Sequence, residues 1–291
     1  MPSIYLACLT NNTGWSGNDY PRYALQSFWD IWRGYTRKTK KYHKIVDIIN
    51  NTQDFMLDSG AYHFMTHPND HKGIDLEYYV NLYIQFINEH DINHFFEMDL
   101  DSALGYDEVK RLRKFIEDGT GKRCIPVWHK SRGVDEFYKY IEDGYTYIAF
   151  GGLVQNMELK KSDYPMLREM YQYAHERGVK IHALGNTNLR LIQSNTFFAD
   201  SCDSISHTIG SKFCAYFEYE NYELKRVDKP GTVFPKIKSS KYYVPPEEMH
   251  EDWIYGDELN ARNLLTWYKF VENYDIGGIV ETNNLYPYKQ E

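Results

Sequence analysis

Short apolar runs alternate along the chain with longer stretches in which apolar residues recur at helical spacing. The runs are Ile4–Leu9, Phe55–Leu57, Phe95–Met98, Cys124–Trp128, Tyr145–Phe150, Val179–Leu184 and Thr196–Asp200. Their shortness and their β-branched and aromatic content predict buried strands. Between them, Asp75–His90 sets Leu76, Tyr79, Val80, Tyr83 and Ile87 on one helical face, with Asp75 as N-cap. Asp163–Arg177 does the same with Leu167, Met170, Tyr171 and Ala174, and Gly178 ends it. Tyr106–Asp118, Val134–Asp143 and Thr187–Ser194 carry weaker helical patterns. Asp257–Asn273 is strongly amphipathic, with Leu264, Leu265, Tyr268 and Val271 inward.

Repeated strand–helix units predict a parallel sheet covered by helices. Seven strands at fairly even spacing favour an α/β fold of the (β/α)8 TIM-barrel type, a single domain over residues 1–291 ending in a helix at 257–273. An open, doubly wound sheet is the alternative, because spacing does not fix strand order. The eighth strand is open: Lys212–Glu220 alternates less regularly and either completes the barrel or forms a hairpin outside it. Pro230–Pro246 reads as loop.

Composition narrows the class. With 291 residues, 42% apolar and 25% charged, the chain is ordinary globular protein. Its 27 tyrosines suit half-buried packing and nucleobase stacking alike. A net charge of −8 argues against non-specific coating of nucleic acid but leaves two local basic stretches, Arg33–Lys44 and Lys225–Lys241. The four cysteines form no CxxC pair, and there is no HxH or HExxH spacing, so neither a disulfide framework nor a metal site is expected. No apolar run reaches the roughly 18 residues of a membrane span, and the start MPSIYLACLTNN lacks a basic signal region. A reduced, soluble, cytoplasmic protein with no membrane partner is expected.

In a parallel barrel the chemistry sits where the strands end. The strand ends read DSGAY, EMDLDS, PVWHK, AFGGL, HALGN and ADSCDS, so acids and histidines converge on one face. Asp58 is either a turn cap or a ligand-facing acid. Alternation puts Asp99 and Asp101 on the same side as Glu97, where an acid accepts hydrogen bonds from an amine-bearing heterocycle. Gly151 and Gly152 allow a flat ligand to approach the backbone, or simply make a tight turn. Asp200 or Asp203 fits a covalent nucleophile or a general base. His129, His182 and His207 are candidates for polar recognition, although a lone histidine is more often structural.

Taken in order, these stretches resemble the tRNA-guanine transglycosylase superfamily, whose (β/α)8 barrel exchanges a nucleic-acid guanine for a 7-deazaguanine. The family motif D-S-G-[GS]-F-Q is matched by Asp58-Ser59-Gly60-Ala61-Tyr62-His63, and I-A-[LI]-G-G by Ile148-Ala149-Phe150-Gly151-Gly152. V-P-L-M-E looks like Val154-Gln155-Asn156-Met157-Glu158, and V-H-x-x-G like Ile181-His182-Ala183-Leu184-Gly185. The nucleophile segment D-x-F-D-S looks like Asp200-Ser201-Cys202-Asp203-Ser204, and the final helix is similar to Glu258–Leu265. The order of these short motifs over residues 55–270 is what makes the match specific.

The resemblance implies a pentosyltransferase in which Asp203 is the nucleophile and Asp58 binds the base and moves its proton. It further implies that Asp99 meets the base edge, that Ser59, Gly60, Gly151, Gly152 and Leu153 line the base pocket, and that His63, His129 and His182 take part in recognition. His129 falls where the family has a base-recognising glutamine. No cofactor is implied. Two departures stand out: the family's structural zinc signature, CxCxxC with a distal histidine, is absent, since residues 215–257 hold no cysteine, and the motif's glutamine is His63. Compact, zinc-less members resemble the often phage-encoded DpdA-type enzymes that place queuosine-related 7-deazaguanines in DNA. The expected partners are therefore DNA and a base such as 7-cyano-7-deazaguanine, in the host cytoplasm if phage-encoded. The alternatives are a tRNA-modifying transglycosylase, an N-glycosyl hydrolase and a non-catalytic binding barrel; a homodimer or a partner protein is left open.

Overall fold

Eight short segments, most of them apolar enough to be buried on both faces, pair in parallel into one sheet: β1 (Ser3–Ala7), β2 (Tyr23–Ser27), β3 (Asp54–Asp58), β4 (His94–Phe95), β5 (Val127–Trp128), β6 (Tyr147–Phe150), β7 (Lys180–Ala183) and β8 (Ser201–Ser204). The computed structural model describes residues 2–12, 15–66, 73–153, 159–193, 196–208, 215–221, 223–228 and 256–275. The strand order is β4-β3-β2-β1-β8-β7-β6-β5. A parallel bridge between Phe96 and Ile125 joins the two ends. There the Ile125 amide donates to Phe95 at 2.8 Å and the Glu97 amide to Ile125 at 3.1 Å. The sheet thereby closes into a (β/α)8-type barrel with strands in sequence order and no free edge.

Helices cover the outside: α1 (Lys40–Asn51), α2 (Leu76–Glu89), α3 (Tyr106–Thr120), α4 (Val134–Glu142), α5 (Tyr164–His175), α6 (Leu189–Gln193) and α7 (Gly256–Asp275). The Asp75 carboxylate accepts the amides of Glu77 and Tyr78, the N-cap that the sequence predicts. Among the described residues no helix is long and apolar enough to cross a membrane. The basic stretch Arg33–Lys44 runs into α1; Lys38, ahead of the helix, pairs with Glu89, and Lys41, within it, with Asp30.

The expected strand list needs correction at two places. The strand that completes the barrel is β2, which none of the apolar runs includes, and the described part of Lys212–Glu220 takes the hairpin alternative. That later segment supplies β9 (Ala215–Glu220), which pairs antiparallel with β10 (Glu223–Asp228) outside the barrel, held to α7 by the Asn263 side chain, which accepts the Phe217 amide. The last barrel strand is Ser201–Ser204 rather than Thr196–Asp200. Phe198 packs on Tyr164 and Phe150 in the helix–sheet layer, so the apolar run precedes the strand instead of forming it. The segments 154–158 and 229–246, and Cys214, lie outside the described residues.

Alternation sorts each strand's residues between barrel axis and helix layer. The β-ladder pairs Ser27 with Asp58, Tyr5 with Asp203 and His182 with Ser201. Paired residues share a face. Asp54, Met56 and Asp58 therefore climb the inside of β3, and Ser201 and Asp203 the inside of β8. The lower interior is polar but satisfied: the Tyr5 hydroxyl donates to Asp54 at 2.6 Å, and His94 meets the same carboxylate at 2.9 Å.

Candidate active site

The chain leaves β3 through Asp58, which keeps some surface open at the barrel mouth while protein encloses its carboxyl. Burial, and then the charges of Asp99 and Asp203, raise it from an ordinary 3.8 to about 6. The Gly60 amide, 3.1 Å from Asp58 Oδ2, opposes this by favouring the charged form. The Ser27 hydroxyl also lies close enough to favour that charge, yet it makes no hydrogen bond of normal geometry. Three acids from different strands thus share one electrostatic neighbourhood, as the strand-end pattern predicts. Cys8, at the end of β1 with φ 57°, joins them: burial and the carboxylates of Asp30, Asp58 and Asp203 push its thiol up to about 12.

Asp203 is nearly buried and is gripped through one oxygen. Its Oδ1 accepts the Gly185 amide at 2.6 Å and lies 3.2 Å from His182 Nε2. Behind it, His182 Nδ1 is 2.7 Å from the Ser201 hydroxyl, which is 2.5 Å from the Tyr147 hydroxyl. Asp200 does not reach this mouth. It sits at the start of β8, where its Oδ2 accepts the Ile181 amide and its Oδ1 the Tyr171 hydroxyl.

The acids after β4 part company. Glu97 is fully buried toward the helices, held by Arg113 and by Arg132 at 2.7 Å, and it accepts the Val127 amide. Asp101 takes the fork of Arg132. Asp99 pairs with His129 across 3.1 Å. Alternation fails to keep the three together because the pairing of β4 ends near Phe96 and the chain then turns, with the Leu100 amide donating to Met98. Burial alone would lower His129, but the Asp99 carboxylate outweighs it and the imidazole is raised. Gly151 is needed beneath this ring: an added Cβ would lie 2.5 Å from His129 Cε1 and 2.9 Å from Val127 Cγ1.

Several expected ligand-facing residues have partners within the protein. Ser59 is fully buried. Gly60 has φ +83°, and a Cβ there would strike the Tyr79 hydroxyl at 2.6 Å and Trp29 Cβ at 2.9 Å, so its missing side chain admits neighbours rather than a ligand. His63 stacks on Trp29 at 5.0 Å. His182 is fully buried behind Asp203, and Leu153 packs against the core. Gly152 follows the strand with φ 72°. His207, which burial lowers to about 4, accepts from Asn12 and donates to the Ala7 carbonyl, stitching β8 to β1.

Ser27 and Tyr147 carry no functional signal in the sequence, and Ser201 and Gly185 stand inside matched motifs without a role of their own. Ser201 is recoverable from the sequence, because it precedes Asp203 by two and shares its face. Among the described residues no cluster of three or more His, Cys, Asp or Glu is arranged to hold a metal ion.

No protein-family model and no curated protein matches the chain. Among solved structures it is similar to the tryptophan synthase alpha subunit of Legionella pneumophila strain Paris, at 13% identity and TM-score 0.39, covering 72% of this chain and 84% of that one. It is also similar to the carboxyl transferase domain of Rhizobium etli pyruvate carboxylase with pyruvate, at 11% identity and TM-score 0.41, over 94% of this chain and 48% of that one. The same domain with 3-bromopyruvate gives 10% identity and TM-score 0.42, over 94% and 47%. None of these likenesses assigns a role to a residue of this chain.

Proposed function

We propose that the chain is a transglycosylase that exchanges guanine in DNA for a 7-deazaguanine base. The observation that carries this reading is the pairing of two unlike carboxylates at the mouth. Asp203 is anchored through Oδ1 by the Gly185 amide and His182, whereas burial and its acidic neighbours raise Asp58 to about 6. Carboxylates pushed into different environments divide nucleophile and proton-carrier roles between them.

In this mechanism the guanosine leaves its stack and enters the mouth. An Asp203 oxygen forms a bond to the sugar C1′ as the C1′–N bond breaks, and the bond's electrons leave with guanine. Protonated Asp58 gives its proton to the departing base. The incoming 7-deazaguanine then attacks C1′, the C1′–O bond to Asp203 breaks, and Asp58 takes back a proton from the new base. Two displacements retain the configuration at C1′, and no cofactor enters the balance. His129, paired with Asp99, would meet the base edge above Gly151. The absence of the zinc cysteines supports DNA over tRNA.

The test is incubation with DNA, and separately tRNA, carrying radiolabelled guanine, plus 7-cyano-7-deazaguanine. Release from DNA that needs the added base, lost in a folded Asp203→Ala variant, is expected. Full exchange by that variant would refute the assignment. Release from tRNA alone would point to the tRNA-modifying relatives, and release without added base to a hydrolase.

A further inference from the structure

Among the described residues, Asp203 accepts side-chain hydrogen bonds through one of its two oxygens. Oδ1 is held by the Gly185 amide and His182, while Oδ2 accepts no hydrogen bond among the described residues. An ionised carboxylate can only accept, so His182 must carry its proton on Nε2 to meet it. In a neutral imidazole Nδ1 is then a lone pair, and its neighbour, the Ser201 hydroxyl at 2.7 Å, must be the donor. With its hydrogen spent on His182, Ser201 offers only an acceptor to Tyr147, whose hydroxyl lies 2.5 Å away. Burial raises the Tyr147 phenol above its ordinary value, so that hydroxyl keeps a hydrogen to give. Reversing the direction in a neutral imidazole would set two lone pairs face to face between His182 Nε2 and Asp203 Oδ1. The ring has little freedom to turn: Phe96, Tyr5 and Tyr147 surround it at centroid distances of 5.3, 5.9 and 6.5 Å.

We propose that Ser201 and Tyr147 are positioning residues that lock His182 in its Nε2–H tautomer, tying down Asp203 Oδ1 and presenting Oδ2 to the barrel mouth as the attacking atom. This rests on the reading of Asp203 as nucleophile. The Oδ2 lone pair makes the bond to C1′ while the C1′–N electrons leave with the base, which takes its proton from Asp58. His182 keeps its own proton throughout and acts by orientation and by hydrogen bonding to the carboxylate.

The experiment has two readouts on the full chain. Nitrogen-15 NMR of histidine-labelled protein distinguishes a protonated ring nitrogen from a bare one, with the His182 signals assigned by their loss in His182→Gln. The expected spectrum shows a bare Nδ1 and a protonated Nε2. A wild-type His182 protonated on Nδ1, alone or together with Nε2, would overturn the proposal. Steady-state exchange on DNA is the second readout. Ser201→Ala should lower kcat on the order of tenfold to a hundredfold, as losses of supporting and tautomer-fixing partners do, with KM little changed. An unchanged kcat in folded Ser201→Ala would overturn the proposal. Tyr147→Phe, which keeps the ring and removes one hydroxyl, serves if Ser201→Ala does not fold, with the same expectation for kcat and the same refuting result. A wild-type chain with the expected tautomer but no exchange on any nucleic acid would uphold the lock and overturn the function reading instead.

Discussion

Replacing Asp58 by Asn should make the protein more stable at neutral pH. Asp58 has its carboxyl raised from 3.8 to about 6. The folded state therefore holds the Asp58 proton more tightly than the unfolded chain does, so folding is favoured below the unfolded value and loses stability as pH rises through the folded one. An interval of about two pH units corresponds to about 3 kcal/mol. Because Asp58 retains some open surface at the mouth, solvent screening reduces this to about 1–2 kcal/mol. Asn keeps an oxygen to accept the Gly60 amide, so that hydrogen bond is preserved. Urea unfolding at pH 8 should show Asp58→Asn about 1–2 kcal/mol more stable than wild type, with the difference gone at pH 4. A variant equally stable or less stable at pH 8, or a gain that persists unchanged at pH 4, would refute the reasoning. The same substitution removes the proposed proton carrier, so stability and activity should move in opposite directions.

Two further substitutions probe other parts of the architecture. Glu97→Gln leaves the buried guanidinium groups of Arg113 and Arg132 without their shared countercharge and should cost about 3–5 kcal/mol in urea unfolding; a loss below about 1 kcal/mol would mean the network relaxes at little cost. Gly151→Ala forces a methyl against the His129 ring. It should cost about 1–3 kcal/mol and, by loosening the pair with Asp99, let burial lower the His129 titration, which NMR would follow; an unmoved titration would contradict this.

The candidate site was more legible in the sequence than the strand list. Asp58 follows from reading acids at strand ends, because the barrel carries those ends to one face; the same reading leaves Asp200 and Asp203 open, and only the family resemblance separates them. His129 and Gly151 follow from the strand ends as Asp58 does. What sequence obscured is polarity inside the barrel. The strand Ser201–Ser204 is polar because it lines the polar interior, while the apolar residues before it pack against α5. The strand Tyr23–Ser27 carries Gln26, whose amide donates to Asp30 at 2.8 Å, and Ser27, which faces Asp58; neither fits an apolar run. Ser59 and Gly60 match a family motif and His63 stands where that motif has glutamine, but whether a small or aromatic residue meets a ligand or a neighbour depends on Trp29 and Tyr79, which come from other parts of the chain. The parting of Glu97, Asp99 and Asp101 depends on where pairing stops, a tertiary fact that alternation does not contain.

The pairing of β1 with β8 also sets a timetable for synthesis. Ser3 pairs with Ser201, so the first strand cannot complete its hydrogen bonds until a segment 198 positions later has been made. At roughly 5–20 residues per second, that is an interval of about 10–40 s on the ribosome. Through that interval the first strand shows one unsatisfied edge to its surroundings, the condition under which strands find foreign partners. A pairing so distant in sequence is the kind of non-local contact that slows folding. Its yield in cells should depend more on the holding capacity of chaperones than on the final stability of the closed ring.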